Sequence, residues 1–149
     1  MFQFNFISPH NFPIDTKIVE QIFSTTEKEV SFPQKGQINI VFVSSSEIQN
    51  LNKTYRNKDS STDVLSFHYF EDFSHLWNED IAWELIFCEE KIISQAKEYA
   101  LGEEWEFYKL LIHSLLHILW YDHEEDDEYE IMQEIENKIA LEIFWKHLS

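Results

Sequence analysis

A chain of 149 residues, 44% of them hydrophobic, is long enough for a single domain spanning 1–149 with a buried core, which excludes an intrinsically disordered protein. One cysteine excludes an internal disulfide, and the lack of a signal-peptide pattern or of an apolar run near ~20 residues predicts a soluble, cytoplasmic protein with no membrane association. The formal net charge of −17 argues against broad electrostatic attraction to nucleic acid, because Lys and Arg drive the binding of phosphates.

The first part of the chain predicts two strands and two helices. Phenylalanines alternate with polar residues over 2–6, which predicts a strand with one buried face. Over 15–29 apolar residues recur at helical spacing, and those expected to face inward are Ile18, Val19, Ile22 and Phe23. Residues 37–43 form an apolar run that predicts a second strand, after which a serine at 45 or 46 is expected to cap a short helix to about Tyr55.

The middle of the chain predicts two further strands. A polar turn at 57–61 precedes a third strand at 63–67, and 68–80 shows no clear period and is expected to be a loop. Residues 83–88 predict a fourth strand, whose apolar character indicates that Cys88 is buried and has no catalytic role.

The C-terminal part predicts three helices. Residues 89–101 are expected to form a helix that Gly102 ends in the left-handed cap position. A long apolar helix follows at 103–119, with its histidine-bearing face expected to be buried, and a last helix runs from about 125 to 143. Together the elements predict an α+β fold, a small mixed sheet of about four strands covered by about five helices.

Three of the seven histidines lie within residues 113–123. His113 and His117 are four apart, so they share one face of a helix and can offer two imidazole nitrogens to one ion. His123 can supply a third if the chain turns back after about residue 119, where 121–122 is a plausible turn. Three imidazoles with one open position are the ligand set of a catalytic zinc site, so we expect one zinc per chain. The alternative is that these are core histidines with local hydrogen bonds.

The residue after the first of these histidines separates two kinds of zinc enzyme. A zinc peptidase with similar ligand spacing has a glutamate there as its general base. This chain has Ser114, which cannot deprotonate a zinc-bound water, and peptide hydrolysis by the usual route is therefore disfavoured.

Three segments in this order resemble the YbeY family of bacterial metal-dependent endoribonucleases: 51–56 (LNKTYR), 62–67 (TDVLSF) and 113–123 (HSLLHILWYDH). The resemblance covers most of the chain from about residue 37. It implies zinc-dependent cutting of single-stranded RNA during ribosomal RNA maturation and ribosome quality control. It also implies that the three histidines bind zinc and that Arg56 is a functional residue.

Four residues within these motifs have roles that the sequence leaves open. Arg56, the only arginine, can bind a phosphate in bidentate fashion or be a surface or structural ion-pair arginine. Asn52 can hydrogen-bond RNA or fix the adjacent turn, and Asp63 can orient its strand or take part in the chemistry. Asp122 is a candidate for holding a ligand histidine in place.

The departures from the family concern glycine. Where the family has glycine, this chain has Ser114, Trp83, Trp120 and, near its end, Trp145. We expect the turn at 120 to need a positive φ, which costs a residue with a side chain about 1–2 kcal/mol. Two explanations stay open: genuine divergence, or a gene whose UGA codons specify glycine in its own cell and were read here as tryptophan.

Three functions compete on this sequence. An endoribonuclease is favoured over a zinc-dependent hydrolase of another substrate because Arg56 suits a phosphate. A non-catalytic, ribosome-associated zinc protein is the third. The cluster of Lys53, Arg56 and Lys58 provides one positive site in an acidic chain, which suits a protein guided to RNA by ribosomal or assembly-factor proteins.

Overall fold

The structure, a computed structural model, describes residues 1–32, 34–69, 76–99, 102–120 and 128–148. The elements in chain order are β1 (Gln3–Phe6), α1 (Thr16–Glu29), β2 (Gln37–Val43), α2 (Ser45–Arg56), β3 (Val64–His68), β4 (Ile81–Cys88), α3 (Glu89–Glu98), α4 (Glu103–Leu119) and α5 (Glu128–Leu148). The four strands and five helices within these ranges confirm the predicted α+β fold.

The sheet is mixed, as predicted, with the strand order β1-β2-β4-β3. Strand β2 runs parallel to both β1 and β4, whereas β3 runs antiparallel to β4. Parallel neighbours need a crossover connection, which α1 provides between β1 and β2. Strand β3 lies at one edge of the sheet and contacts α4, and this edge is where the candidate site lies.

Alternating side chains of the central strands pack into two apolar clusters on opposite faces of the sheet. Leu85 and Phe87 of β4 pack into the larger cluster, together with residues of α1, α3, α4 and α5. Ile86 and Cys88 pack on the other face against Ile48 of α2, and Cys88 is buried, as predicted. The face covered by α4 is therefore the one that fixes the predicted metal ligands.

The starts of α1, α2, α3 and α4 lie within two residues of the predicted ones. Asp15 caps α1 by accepting a hydrogen bond from the backbone N–H of Lys17. Ser44 caps α2 by accepting from the backbone N–H of Glu47, so the cap lies one residue before the predicted serines. The inward-facing residues of α1 are buried as expected, namely Ile18, Val19, Ile22 and Phe23.

The prediction for Gly102 was wrong. Its φ of −67° and ψ of 150° are extended, and it is the residue that precedes α4 rather than a left-handed cap that ends α3, which closes at Glu98. Among the described residues, positive φ occurs at Gly36 and at Asn57, whose φ of 56° ends α2. Asparagine tolerates this conformation better than most residues, and helical periodicity does not predict it.

Two other predicted boundaries differ from the observed ones. The last helix continues to Leu148, beyond the predicted end near 143, while the predicted start near 125 lies outside the described residues. The predicted loop at 68–80 loses its first residue, because β3 includes His68, which pairs with Trp83 of β4. Strand β4 begins at Ile81, two residues before its predicted start at Trp83. No helix in the described ranges is both long enough and apolar enough to cross a bilayer.

Candidate active site

His113 and His117 lie one turn apart on α4, as their spacing predicts. Their ring centroids are 4.4 Å apart and the rings are inclined at 74°. The expectation that this face is buried was wrong: His113 is half-buried and His117 is exposed, because both line an open cavity rather than the core. The pair is thus accessible to an ion and to a substrate.

A carboxylate from another helix holds the first of these rings. Nδ1 of His113 lies 2.9 Å and 3.0 Å from the two carboxylate oxygens of Glu136 on α5. Such a contact favours the tautomer that carries its proton on Nδ1, which leaves Nε2 as the nitrogen that can coordinate a metal.

The same contact determines how His113 binds protons. The hydrogen bond with Glu136 raises the pKa of His113 above its usual value, and the negative charges of Glu136 and Asp63 act in the same direction against the effect of burial. The surroundings of this ring therefore favour positive charge, whether it comes from a proton or from a cation.

The cavity has a volume of about 600 Å³ and lies between the edge of the sheet and α4. Its walls combine titratable, aromatic and apolar side chains, among them Tyr55, Arg56, Asp63, Phe67, His68, Trp83, His113 and His117. Residues from α2, β3, β4 and α4 thus meet in one place, although they are far apart in sequence.

Arg56 stands at the last position of α2. Its guanidinium donates a hydrogen bond to the backbone carbonyl of Ser66, and its Cζ lies 5.4 Å from the centroid of the Phe67 ring. No described carboxylate forms a salt bridge with it. The structural ion-pair alternative is therefore absent from the described part of the chain, and the charge of Arg56 is directed to the cavity.

Two of the neighbouring polar residues differ in what they contact. Asn52 is buried, and its side-chain amide donates a hydrogen bond to the backbone carbonyl of Ser60 at 2.9 Å. This contact supports the alternative in which Asn52 fixes the turn. Asp63 lines the cavity, while its backbone carbonyl accepts a hydrogen bond from Cys88 at 2.8 Å. Asp63 therefore has both a structural role through its backbone and a carboxylate in the site.

His123 and Asp122 lie outside the described residues, so their predicted roles stay predictions. Within the described ranges no group of three or more His, Cys, Asp or Glu side chains is arranged to hold a metal ion. The described part of the candidate centre consists of His113 and His117, with Glu136 behind the first.

Comparison with known proteins identifies the family. The family model for endoribonuclease YbeY matches residues 10–143. The chain belongs to this family. An endoribonuclease YbeY of Alkaliphilus metalliredigens is 40% identical over 109 residues, which cover 72% of this chain and 70% of the relative. That of Finegoldia magna is 37% identical over 136 residues, with 87% and 88% covered.

The fold agrees with this assignment to the YbeY family. A protein of Thermotoga maritima with a known solution structure superposes with a TM-score of 0.61 at 26% identity, covering 98% of this chain and 91% of that chain. The recognition of the family from the three sequence segments is thereby confirmed.

The four residues that the resemblance places at glycine positions of the YbeY family fall into two groups. Trp83, Trp120 and Ser114 are buried, at 3%, 8% and 1% exposure, whereas Trp145 is 76% exposed. The expected positive φ at 120 was wrong: Trp120 has φ −92° and ψ 2°, and its N–H donates to the carbonyl of Leu116. The chain is still in its last helical turn there, so no left-handed penalty arises at this residue.

Sequence reasoning missed two contributors to the site. Glu136 is one of many acidic residues in an acidic helix, and only the packing of α5 on α4 distinguishes it. Phe67 was recognised as part of a motif, but its position beneath Arg56 depends on how α2 crosses β3. Helical spacing can pair residues within one element, whereas both of these contacts join two elements.

Proposed function

We propose that this protein is a zinc-dependent endoribonuclease that cuts single-stranded RNA in the maturation of ribosomal RNA and in ribosome quality control. The observation that carries the proposal is that one cavity contains the sole arginine together with His113 and His117. The relatives' name, endoribonuclease YbeY, supports the reaction class.

Zinc would be held by His113, His117 and His123. The described residues suit that ion, because two imidazoles share one helix face and a carboxylate orients the first of them. The charge of Asp63 in the cavity wall further favours a cation beside His113. When bound, zinc supplies a Lewis acid and lowers the pKa of a coordinated water towards roughly 7.

Arg56 binds the scissile phosphate in this proposal. A guanidinium has several N–H donors in one plane, so the bond to Ser66 leaves others for a bidentate contact with phosphate oxygens. The Phe67 ring beneath it restricts its motion, which keeps the positive charge directed at the cavity. Its task is to stabilise negative charge that develops on the phosphate.

Delivery of RNA depends on proteins as well as on the cavity. A net charge of −17 repels a polyanion at long range, so a local positive site has to be brought to its substrate. Ribosomal or assembly-factor proteins are partners that would do this. The acidic surface is then a contact surface for basic proteins rather than for RNA.

The test is a cleavage assay with three arms. Metal-free protein, protein reloaded with one equivalent of zinc, and reloaded protein with a double-stranded substrate are compared on oligoribonucleotides of the same sequence. We expect cleavage in the single-stranded, zinc-loaded arm alone. Intact single-stranded RNA with stoichiometric zinc would favour the non-catalytic alternative, and hydrolysis of other esters under those conditions would favour the broader hydrolase.

A further inference from the structure

Tyr55 departs from the burial pattern of its own helix. Ile48, Asn52 and Tyr55 follow the spacing of one helix face, and the first two are buried. Tyr55 is instead 66% exposed and forms part of the cavity wall, next to Arg56. The helix thus presents an aromatic ring to the cavity on the side that elsewhere faces the core.

A second ring supports Tyr55 from the sheet. The centroids of Tyr55 and Phe67 are 5.5 Å apart, and the rings meet edge to face at 74°. The guanidinium of Arg56 lies over the same Phe67 ring. One residue of β3 therefore positions both a planar aromatic surface and a phosphate-binding group, side by side.

Hydrogen bonds of the following turn also fix the end of α2. The N–H of Asn57, in its left-handed conformation, donates to the carbonyl of Asn52, whose side chain donates to the carbonyl of Ser60. A ring held on such a support loses little conformational entropy when a ligand binds, which is the advantage of a preorganised site.

Building on the endoribonuclease function proposed above, we propose that Tyr55 is a base-binding residue. Its ring stacks on a nucleobase of single-stranded RNA, next to the phosphate that Arg56 holds. Stacking suits this chain because it needs no positive charge, and a net charge of −17 leaves few cations to attract RNA. Every base has a flat face, so the contact selects unpaired strands rather than a particular sequence.

Binding to metal-free protein in the presence of a chelator tests this without any cleavage. The probe is a short single-stranded uridine oligoribonucleotide with one 2-aminopurine, whose fluorescence falls when the base stacks on an aromatic ring. We expect quenching in the wild-type complex, an affinity about ten-fold lower in Tyr55→Ala with loss of that quenching, and nearly full retention in Tyr55→Phe.

Salt dependence separates stacking from charge. Tyr55→Ala should leave the slope of log K against log salt unchanged, whereas Arg56→Ala should change it by about 0.7, the value for one phosphate contact on a single strand. Tyr99→Ala removes another exposed tyrosine, on the far end of α3, and should bind like the wild type.

Wild-type affinity and quenching in Tyr55→Ala would overturn the proposal, as would an equal loss in Tyr55→Phe, which would assign the effect to the hydroxyl. Because the measurement uses no zinc, a protein that binds in this way but does not cut RNA would refute the nuclease function alone.

Discussion

Glu136 and His113 form a contact between two helices at the candidate metal centre. Both carboxylate oxygens of Glu136 lie within 3.0 Å of the histidine Nδ1, so α5 orients a ring that α4 carries. A carboxylate in this position fixes the tautomer of a ligand histidine and raises its basicity. The last helix thus belongs to the site although it supplies none of the predicted ligands.

Glu136→Gln should weaken zinc binding by about 10- to 100-fold, because the ring loses a charged partner. It should also lower the pKa of His113, since the hydrogen bond with Glu136 is the main cause of its elevation. Competition with a chromogenic chelator measures the first effect, and a histidine NMR titration of metal-free protein measures the second. Glu134→Gln, an exposed change on the same helix, is the matched control and should alter neither.

His117→Ala should abolish stoichiometric zinc, because the remaining imidazoles leave the ion undercoordinated. His113→Ala and His123→Ala should do the same in metal analysis of purified protein. His10→Ala is the control, because His10 packs against Phe12 and Phe42 away from the cavity. Full zinc content in all three ligand variants would refute the site.

Arg56→Ala should reduce cleavage of single-stranded RNA by roughly 10²-fold or more with zinc content and fold intact, if the guanidinium stabilises charge on the phosphate. Arg56→Lys should restore only part of the rate, because an ammonium lacks the planar fork. Lys58→Ala, an exposed cation just beyond α2, serves as the comparison. Turnover by Arg56→Ala at the wild-type rate would remove this residue from the mechanism.

The secondary structure could be predicted from the sequence because periodicity within one element determines it. The bounds of β2 and α4 agree with the predicted ranges, and the four-residue spacing of His113 and His117 places them on one face. Local conformation was predicted less well. Gly102 and Trp120 both have negative φ, because glycine also occurs before helices and a helix can end without a left-handed residue.

The candidate site could be predicted only where its residues lie within one element. Glu136 reaches His113 through the packing of two helices, and Tyr55 reaches Phe67 through the crossing of α2 over β3. Such contacts depend on tertiary geometry, and a single sequence carries no period that reports it.

Tyr108→Phe should make the protein less sensitive to alkaline pH. Burial, opposed by a hydrogen bond from the Asp15 backbone, raises the pKa of Tyr108 to about 12 from its usual 10. The raised pKa therefore adds its whole contribution to the free energy of unfolding below about pH 10. That contribution is lost as the pH rises towards 12. At neutral pH the variant should lose about 1 kcal/mol, since the Asp15 N–H loses its acceptor at 2.8 Å.

The measurement for Tyr108 is urea unfolding at a series of pH values from neutral to strongly alkaline. The difference in unfolding free energy between wild type and Tyr108→Phe should shrink above about pH 10. Tyr99→Phe, at an exposed position, should show the wild-type dependence of unfolding free energy on pH. If the difference in unfolding free energy between Tyr108→Phe and wild type stays constant across the series, the titration of Tyr108 does not affect stability and the prediction is wrong.

Trp120→Gly should destabilise the protein by about 3–5 kcal/mol, the usual cost of removing a large buried aromatic side chain. Trp120 is 8% exposed and meets the Phe32 ring edge to face with centroids 5.0 Å apart. With φ at −92° the residue has no left-handed strain for glycine to relieve. Thermal unfolding and zinc competition on the same sample measure the outcome, with Trp145→Gly as an exposed control on α5.

The opposite result at 120 has a definite meaning. If Trp120→Gly raises both the melting temperature and the zinc affinity, the packing on Phe32 is not what stabilises this turn, and glycine is the residue that lets His123 approach His117. The codons then decide between the two origins of tryptophan at the positions where the resemblance places glycine. UGG at 83, 120 and 145 would establish genuine divergence, whereas UGA at those sites would mean that the protein made in its own cell carries glycine there. In that second case the variant with glycine at all three positions, rather than the tryptophan form, is the one whose zinc content and RNA cleavage test the proposed function.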